Sequence, residues 1–313
     1  MKTTTSSCVA LALAAVLLPS CSADLPGDDS NAGDETLEVI TWWNKGGELG
    51  ALDALIDVFN RAEPGVQVIP GNEGEPGEVR TRMRDRILSG DPPDTFHAIS
   101  GSDIMSWVEA DKMEPITALW EENGWADVFP PVVTELLSLD DEVYAVPVNI
   151  ERDNNLFYNV KLLDEHGLEP PRTLAELYSA CSTLQAEGVV PLAVPAADWV
   201  IALVAFETLM PALYGGEFYL DFLQGRLESP ETELRPFFEE LAKVLSCSNV
   251  ADAEADWGAA ADQVYRDEAA MLVMGDWAKG YFEGGQDVLK AARDPWRPGI
   301  DFDVVPGLGS EGY

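Results

Sequence analysis

Thr36–Arg61 reads TLEVITWWNKGGELGALDALIDVFNR, and the way it divides decides the fold. Leu37, Val39, Thr41 and Trp43 alternate with Glu38, Ile40 and Trp42, the period-2 pattern of a strand. Asn44-Lys45-Gly46-Gly47 has turn composition. Leu49, Leu52, Leu55, Ile56 and Phe59 then fall on one helical face until Glu63-Pro64-Gly65 stops the run. A strand, a glycine turn and a helix place Trp42 and Trp43 at the carboxyl end of the strand and Glu48 at the mouth of the helix. Ligands of open α/β sheets bind beyond such strand ends. Neighbouring strand residues point to opposite faces, so one tryptophan is expected in the core and one toward a ligand.

Outward from this stretch the pattern repeats. Gly65–Pro70 (GVQVIP) is a second strand, and Gly71–Gly77 a loop rich in glycine and acid. Glu78–Ser89 is a helix carrying Arg80, Arg82, Arg84 and Arg86, read as a solvated, salt-bridged face. Thr95–Ser100 is a third strand bearing His97, and Asp103 caps a helix through Trp107. Right-handed crossovers turn this β-α-β-α-β run into a parallel sheet with helices on both faces. Asp140-Asp141-Glu142 is a hairpin turn between Leu137–Leu139 and Val143–Ile150, and the segment after it crosses into a second, mostly helical lobe. Val189–Val194 and Ala270–Met274 are its buried strands, and Asp301–Pro306 is a strand expected to rejoin the first sheet. The expected organisation is an N-terminal lobe over 36–148, rejoined by about 290–313, and a C-terminal lobe over 149–289. Such a pair is a hinged α/β clamp with parallel-rich sheets flanked by helices. Asn149 and Arg152 lie at the hinge, and His166 reads as a helix C-terminal residue.

At 313 residues the chain can bury a sizeable core and divide into two domains. Its 19 basic and 56 acidic residues give a net charge of −37, which disfavours nucleic acid and anionic membrane surfaces and favours a neutral or cationic ligand. Two histidines and no clustered cysteines give no metal site, and no Gly-x-Ser-x-Gly, Walker or dinucleotide pattern is present, so neither a cofactor nor catalysis is expected.

Residues 1–21 read as a lipoprotein signal. Lys2 opens it, Val9–Leu18 is its apolar run, and Leu18-Pro19-Ser20-Cys21 places Cys21 where a lipid is attached. Plain secretion with cleavage nearby is the alternative. Residues 22–35 are a polar tether with Leu25 as the one large apolar residue, and no later segment reads as membrane-spanning. Export makes Cys181 and Cys247 an even pair in an oxidising compartment, either bridged or buried as two thiols. A bridge would close a loop of roughly 65 residues, worth about 4 kcal/mol in the chain-entropy model.

Five stretches in order carry a family resemblance: TWW at 41–43 with its helix, GDPPDTF at 90–96, AVPVNIERDN at 145–154, PPRTLAEL at 170–177 and MGDWAKGYF at 274–282. Together, over residues 36–313, they resemble the extracellular solute-binding proteins of bacterial ABC sugar importers, most closely the glucose/mannose-binding members. The resemblance implies a two-lobe periplasmic-binding-protein-like fold (type II), the lipid on Cys21 and the Cys181–Cys247 bridge. It also implies a monomer that captures a mono- or small oligosaccharide between its lobes and delivers it to a membrane permease, outside the cytoplasm and anchored to the membrane. The sugar set it implies is Trp42, Trp43, Glu48, His97, Trp257 and Asp276. Indole faces suit the C–H face of a pyranose, and carboxylates accept from its hydroxyls.

Two departures concern the sugar. Ile99 stands where glucose-type members carry a second polar side chain, and Val200-Ile201-Ala202-Leu203 replaces a polar run after Trp199. Family members also continue for roughly another quarter of their length, so this sequence reads as a fragment. The rival readings are a secreted glycoside hydrolase using Glu48 and Asp276 as its carboxylates, and a sugar sensor coupled to a receptor. More ordinary roles also fit these residues: a helix N-terminal charge for Glu48, a satisfied polar residue for His97 and a core residue for Trp257.

Overall fold

The alternation at Thr36 does form a strand. In a computed structural model describing residues 35–251, 253, 256–284 and 296–308, β1 (Glu35–Ile40) is followed by α1 (Gly46–Ala62), β2 (Val66–Gly71), α2 (Pro76–Ser89) and β3 (Thr95–Phe96). The signal, Cys21 and the tether up to residue 34 lie outside the described residues. The chain divides into two units, one holding residues up to 45 and 49–149, the other 46–48 and those from 150 onward.

In the first unit β1 is the middle strand of a three-stranded parallel sheet. It pairs with β2 from Glu35↔Val66 to Ile40↔Gly71 and with β3 at Val39↔Thr95 and Ile40↔Phe96. α2 starts at Pro76 behind a Glu75/Glu78 capping box and stops at Gly90, whose φ of 83° is left-handed. Its Val79, Met83 and Ile87 recur at i, i+4 and i+8 and pack on Ile40. The stripe read on α1 is only partly used: Leu52 is buried, whereas Leu55 is 48% exposed and has no covering layer among the described residues. α3 (Ser102–Glu109), α4 (Thr117–Asn123), a 3-10 turn at Trp125–Asp127 and α5 (Pro131–Glu135) lead to the hairpin of β4 (Ser138–Leu139) and β5 (Glu142–Val143). The central hairpin residues Asp140 and Asp141 have φ of 51° and 67°, the type I′ geometry that suits strand twist. Ile104, Trp120, Leu137 and Val143 form this region's core.

The second unit contains β6 (Asn155–Asn159), α6 (Val160–Glu165), α7 (Leu174–Ala186), β7 (Val190–Ala193), α8 (Asp198–Ala202), a π-helical turn at Leu203–Leu209 and α9 (Met210–Leu223). After these come α10 (Pro230–Ser246), α11 (Trp257–Tyr265), β8 (Ala269–Met274), α12 (Trp277–Gly284) and β9 (Phe302–Pro306). Its sheet has the order β7-β8-β6-β9, with β7 parallel to β8 and β6 antiparallel to both of its neighbours. Leu156, Met271 and Val273 pack into one core cluster and Phe157, Leu272 and Met274 into another. A sheet buried on both faces explains why β8 reads AAMLVM without polar alternation. Asn159 caps α6 by accepting from Leu162 N (3.0 Å), and a Thr173/Glu176 capping box starts α7. A disulfide joins Cys181 on α7 to Cys247 just after α10.

Two expectations are corrected. Asp301–Pro306 does not rejoin the first sheet; β9 pairs with β6 from Asn155↔Pro306 to Asn159↔Phe302. That edge of β6 offers free ladder groups, and an aromatic cluster of Phe157, Phe282 and Trp296 receives Phe302. Asp198–Leu223 is long and apolar enough to cross a membrane by length and composition. In the fold it is interrupted at Gly215 (φ 83°, ψ 168°), and Val200, Val204, Leu209 and Met210 are buried in the second unit's core.

Candidate functional site

β1 ends at Ile40, so Thr41–Trp43 form the loop past its carboxyl end rather than its last residues. Loop residues need outside partners, and here they have them. Thr41 N donates to Gly71 O (3.4 Å), Asn72 Nδ2 to Trp43 O (3.1 Å) and Asn44 Nδ2 to Gly74 O (2.6 Å). Thr41 Oγ1 accepts from Trp43 N (3.1 Å) and lies 3.2 Å from His97 Nδ1. His97 N in turn donates to Ile40 O (2.7 Å), which extends the β1/β3 pairing by one bond.

The structure therefore brings Trp42, Trp43 and His97 together. Trp42 stacks on His97, and Trp43 meets the imidazole edge-on with centroids 5.2 Å apart. Trp43 is 5% exposed and its Nε1 has no hydrogen-bond partner among the described residues, whereas Trp42 is half-buried. Trp43 is thus the core member of the pair and Trp42 the more open one. Burial and the nearby Arg80 guanidinium push the His97 pKa down to about 4, so the ring is neutral at physiological pH. Arg80 is the residue that sequence reading passed over: its Cζ lies 5.1 Å from the Trp42 ring centroid. It directly follows buried Val79, on the flank of the α2 stripe, and that adjacency was its one legible signal. Ile99 is 52% exposed.

The remaining predicted residues fall elsewhere. Glu48 is half-buried in the first turn of α1, and Asn149 is an exposed residue at the end of the first unit. Asp276 and Arg152 meet in the second unit, where Asp276 N donates to Arg152 O (3.0 Å). Arg152 Nε also reaches Asn154 Oδ1 (3.0 Å). Trp199, 38% exposed at the start of α8, lies 6.3 Å from Trp277 between ring centroids, and Trp277 directly follows Asp276. Val200 and Leu203, in the apolar run after Trp199, are buried. Trp257 is 6% exposed and packs on Tyr281, whose hydroxyl donates to Asp262 Oδ1 (2.7 Å).

Asp153 and Glu207 were not singled out from sequence. Burial, then the charges of Glu207 and Asp276, raise the Asp153 pKa to about 6. Glu207 accepts from the Tyr219 hydroxyl (2.6 Å). The second unit thus offers two indoles, and an Asp153 carboxyl that feels the charges of Glu207 and Asp276. That set suits hydroxyl donors, which lone carboxylates lack. Among the described residues no group of three or more His, Cys, Asp or Glu is placed to hold a metal ion.

Residues 44–310 match the family model of the bacterial extracellular solute-binding proteins. An uncharacterized ABC transporter extracellular-binding protein of Pyrococcus horikoshii is 30% identical over 87% of this chain and 60% of its own length. A probable sugar-binding periplasmic protein of Rhizobium meliloti is 28% identical over 89% of this chain and 65% of its own. This chain thus spans less than two thirds of the length of these relatives. A structure solved in work on xylan utilization by the thermophilic bacterium Caldanaerobius polysaccharolyticus superposes with a TM-score of 0.73, at 20% identity over 88% of this chain and 68% of that one. The α/β fold is thus periplasmic-binding-protein-like.

Proposed function

Because the chain belongs to the bacterial extracellular solute-binding protein family, we propose that it is the carbohydrate-binding component of an ABC-type importer. The observation that carries this reading is the second unit's pairing of Trp199 with Trp277, the residue next to Asp276, whose charge together with that of Glu207 acts on Asp153. Flat apolar rings next to unneutralised acceptors complement a pyranose, whose ring face is C–H and whose rim is O–H. The loop of Trp42 and Trp43 with His97, in the first unit, is a further proposed sugar contact, and Glu48 is another. The probable sugar-binding proteins of Rhizobium meliloti and Brucella melitensis support the same class of ligand.

The ligand is a mono- or small oligosaccharide, with glucose and mannose the first candidates. It is bound without turnover and passed to a membrane permease, with Cys21 carrying the lipid that keeps a monomeric protein at the outer face of the membrane. A few stacked faces and paired hydroxyls correspond to a micromolar Kd, about −8 kcal/mol. The test is intrinsic tryptophan fluorescence during addition of glucose, mannose, galactose, maltose and cellobiose. A saturable change with at least one of them is expected. A folded protein whose emission answers to none would contradict the reading.

A further inference from the structure

The four arginines of α2 are not equivalent. Arg82 donates to the carbonyls of Glu73 (2.9 Å) and Gly71 (3.1 Å). Arg84 lies 3.5 Å from Asp85, and Arg86 is paired with Glu38 (2.5 Å) and Asp91 (3.2 Å). Arg80 makes no ion pair among the described residues, in a protein with 56 acidic residues to supply one. Its Nε is buried and makes no hydrogen bond among the described residues. The guanidinium lies over the Trp42 ring instead, on the same indole that stacks on His97.

A guanidinium held half out of water normally has a carboxylate within reach, because aromatic contact supplies only part of what desolvation removes. Arg86, six residues further along α2, shows the ordinary solution in this protein. We propose that Arg80 is a specificity-determining residue for an anionic sugar, one that carries a carboxylate such as a uronic acid, with the acid group on the guanidinium and the sugar beside the Trp42–Trp43 loop. This rests on the carbohydrate-binding reading and narrows it. It also revises the expectation of a neutral or cationic ligand drawn from net charge. The overall charge of −37 acts at long range, where salt screens it beyond about 8 Å, whereas a bidentate arginine–carboxylate contact acts at hydrogen-bond distance.

The test is calorimetric titration of the full chain with glucose, glucuronate and glucose 6-phosphate, for the parent, Arg80→Gln and Arg80→Lys. The expected result is that the parent binds glucuronate about tenfold or more tighter than glucose, as one charge-assisted pair allows. Arg80→Gln should lose at least that factor for glucuronate relative to glucose, and Arg80→Lys should recover part of it. Phosphate preferred over carboxylate, with the same dependence on Arg80, would overturn the assignment to a carboxylate-bearing sugar. Glucose bound as tightly as glucuronate by the parent would overturn this inference and leave the carbohydrate reading standing. So would a preference that survives in Arg80→Gln. A folded parent that binds none of the three sugars overturns both. Should Arg80→Gln fail to fold, the parent and Arg80→Lys alone still decide.

Discussion

Trp42 and His97 stack face to face, with ring centroids 3.8 Å apart and planes 18° from parallel. The contact joins the loop after β1 to the residue after β3, two points far apart in sequence that the parallel sheet brings side by side. Its cost falls on the imidazole, which loses water on its face and has a guanidinium nearby. Both effects oppose protonation.

This sets a pH dependence. An unfolded His97 takes its proton near pH 6.5 and the folded one near 4. The unfolded chain therefore binds the proton first, and stability present above pH 6.5 is lost as the pH falls to 4, by at most about 3 kcal/mol. Urea midpoints at pH 7 and pH 4 should show the loss, and His97→Gln should diminish it. An unchanged slope in that variant would place the proton elsewhere.

Asp153 acts in the opposite sense. Its folded pKa of about 6 lies above the ordinary 3.8, so its contribution is fully present below pH 3.8 and is lost as the pH rises through 6. Asp153→Asn should therefore lose less stability than the parent between pH 4 and pH 7, while weakening sugar binding. The same denaturation series checks the first effect and a titration the second.

Trp199 and Trp257 should separate binding from stability. Trp257 is buried against Tyr281 in a core cluster, so Trp257→Ala should cost about 3–5 kcal/mol, as large core truncations do. Trp199 is exposed on one side, so Trp199→Ala should shift the thermal midpoint little and weaken sugar binding about tenfold. Thermal melts and titrations of the two variants would show the crossing pattern, and equal binding by Trp199→Ala and the parent would remove that indole from the site.

Much of this was readable in the sequence, for local reasons. The strand, turn and helix of the opening stretch, the hairpin at Asp140-Asp141 and the buried run of β8 each follow from periodicity or turn chemistry within a few residues. The misplacement of Asp301–Pro306 had a non-local cause. A strand pattern fixes which side chains face inward, but the choice of sheet depends on which edge is free, and the edge of β6 was invisible beforehand. In the candidate site, Trp42 and His97 were legible because they sit at strand ends. Asp153 and Glu207 were not, because their mutual charge effect arises between a loop before β6 and a π-helical turn 54 residues later. Arg80 was hidden by its own neighbours, since one aromatic-stacked arginine among four reads like the rest.

The Cys181–Cys247 bridge spans a sequence separation of 66 and ties α7 to the end of α10. Replacing both cysteines by alanine should cost about 4 kcal/mol by the loop-entropy estimate and lower the thermal midpoint by roughly 10 °C. Calorimetric melts with and without reductant would measure the same loss in the parent. A midpoint indifferent to reductant would show that the bridge adds nothing to the second unit.

Isothermal titration of the full chain with a panel of neutral and acidic sugars, each mixture followed afterwards for newly released reducing ends, tests the central claim most directly. The account predicts saturable heat at micromolar Kd with at least one sugar and no reducing ends above the background. Release that depends on Glu48 or Asp276 would make the protein a glycoside hydrolase, and a folded protein giving neither heat nor release would contradict carbohydrate binding altogether.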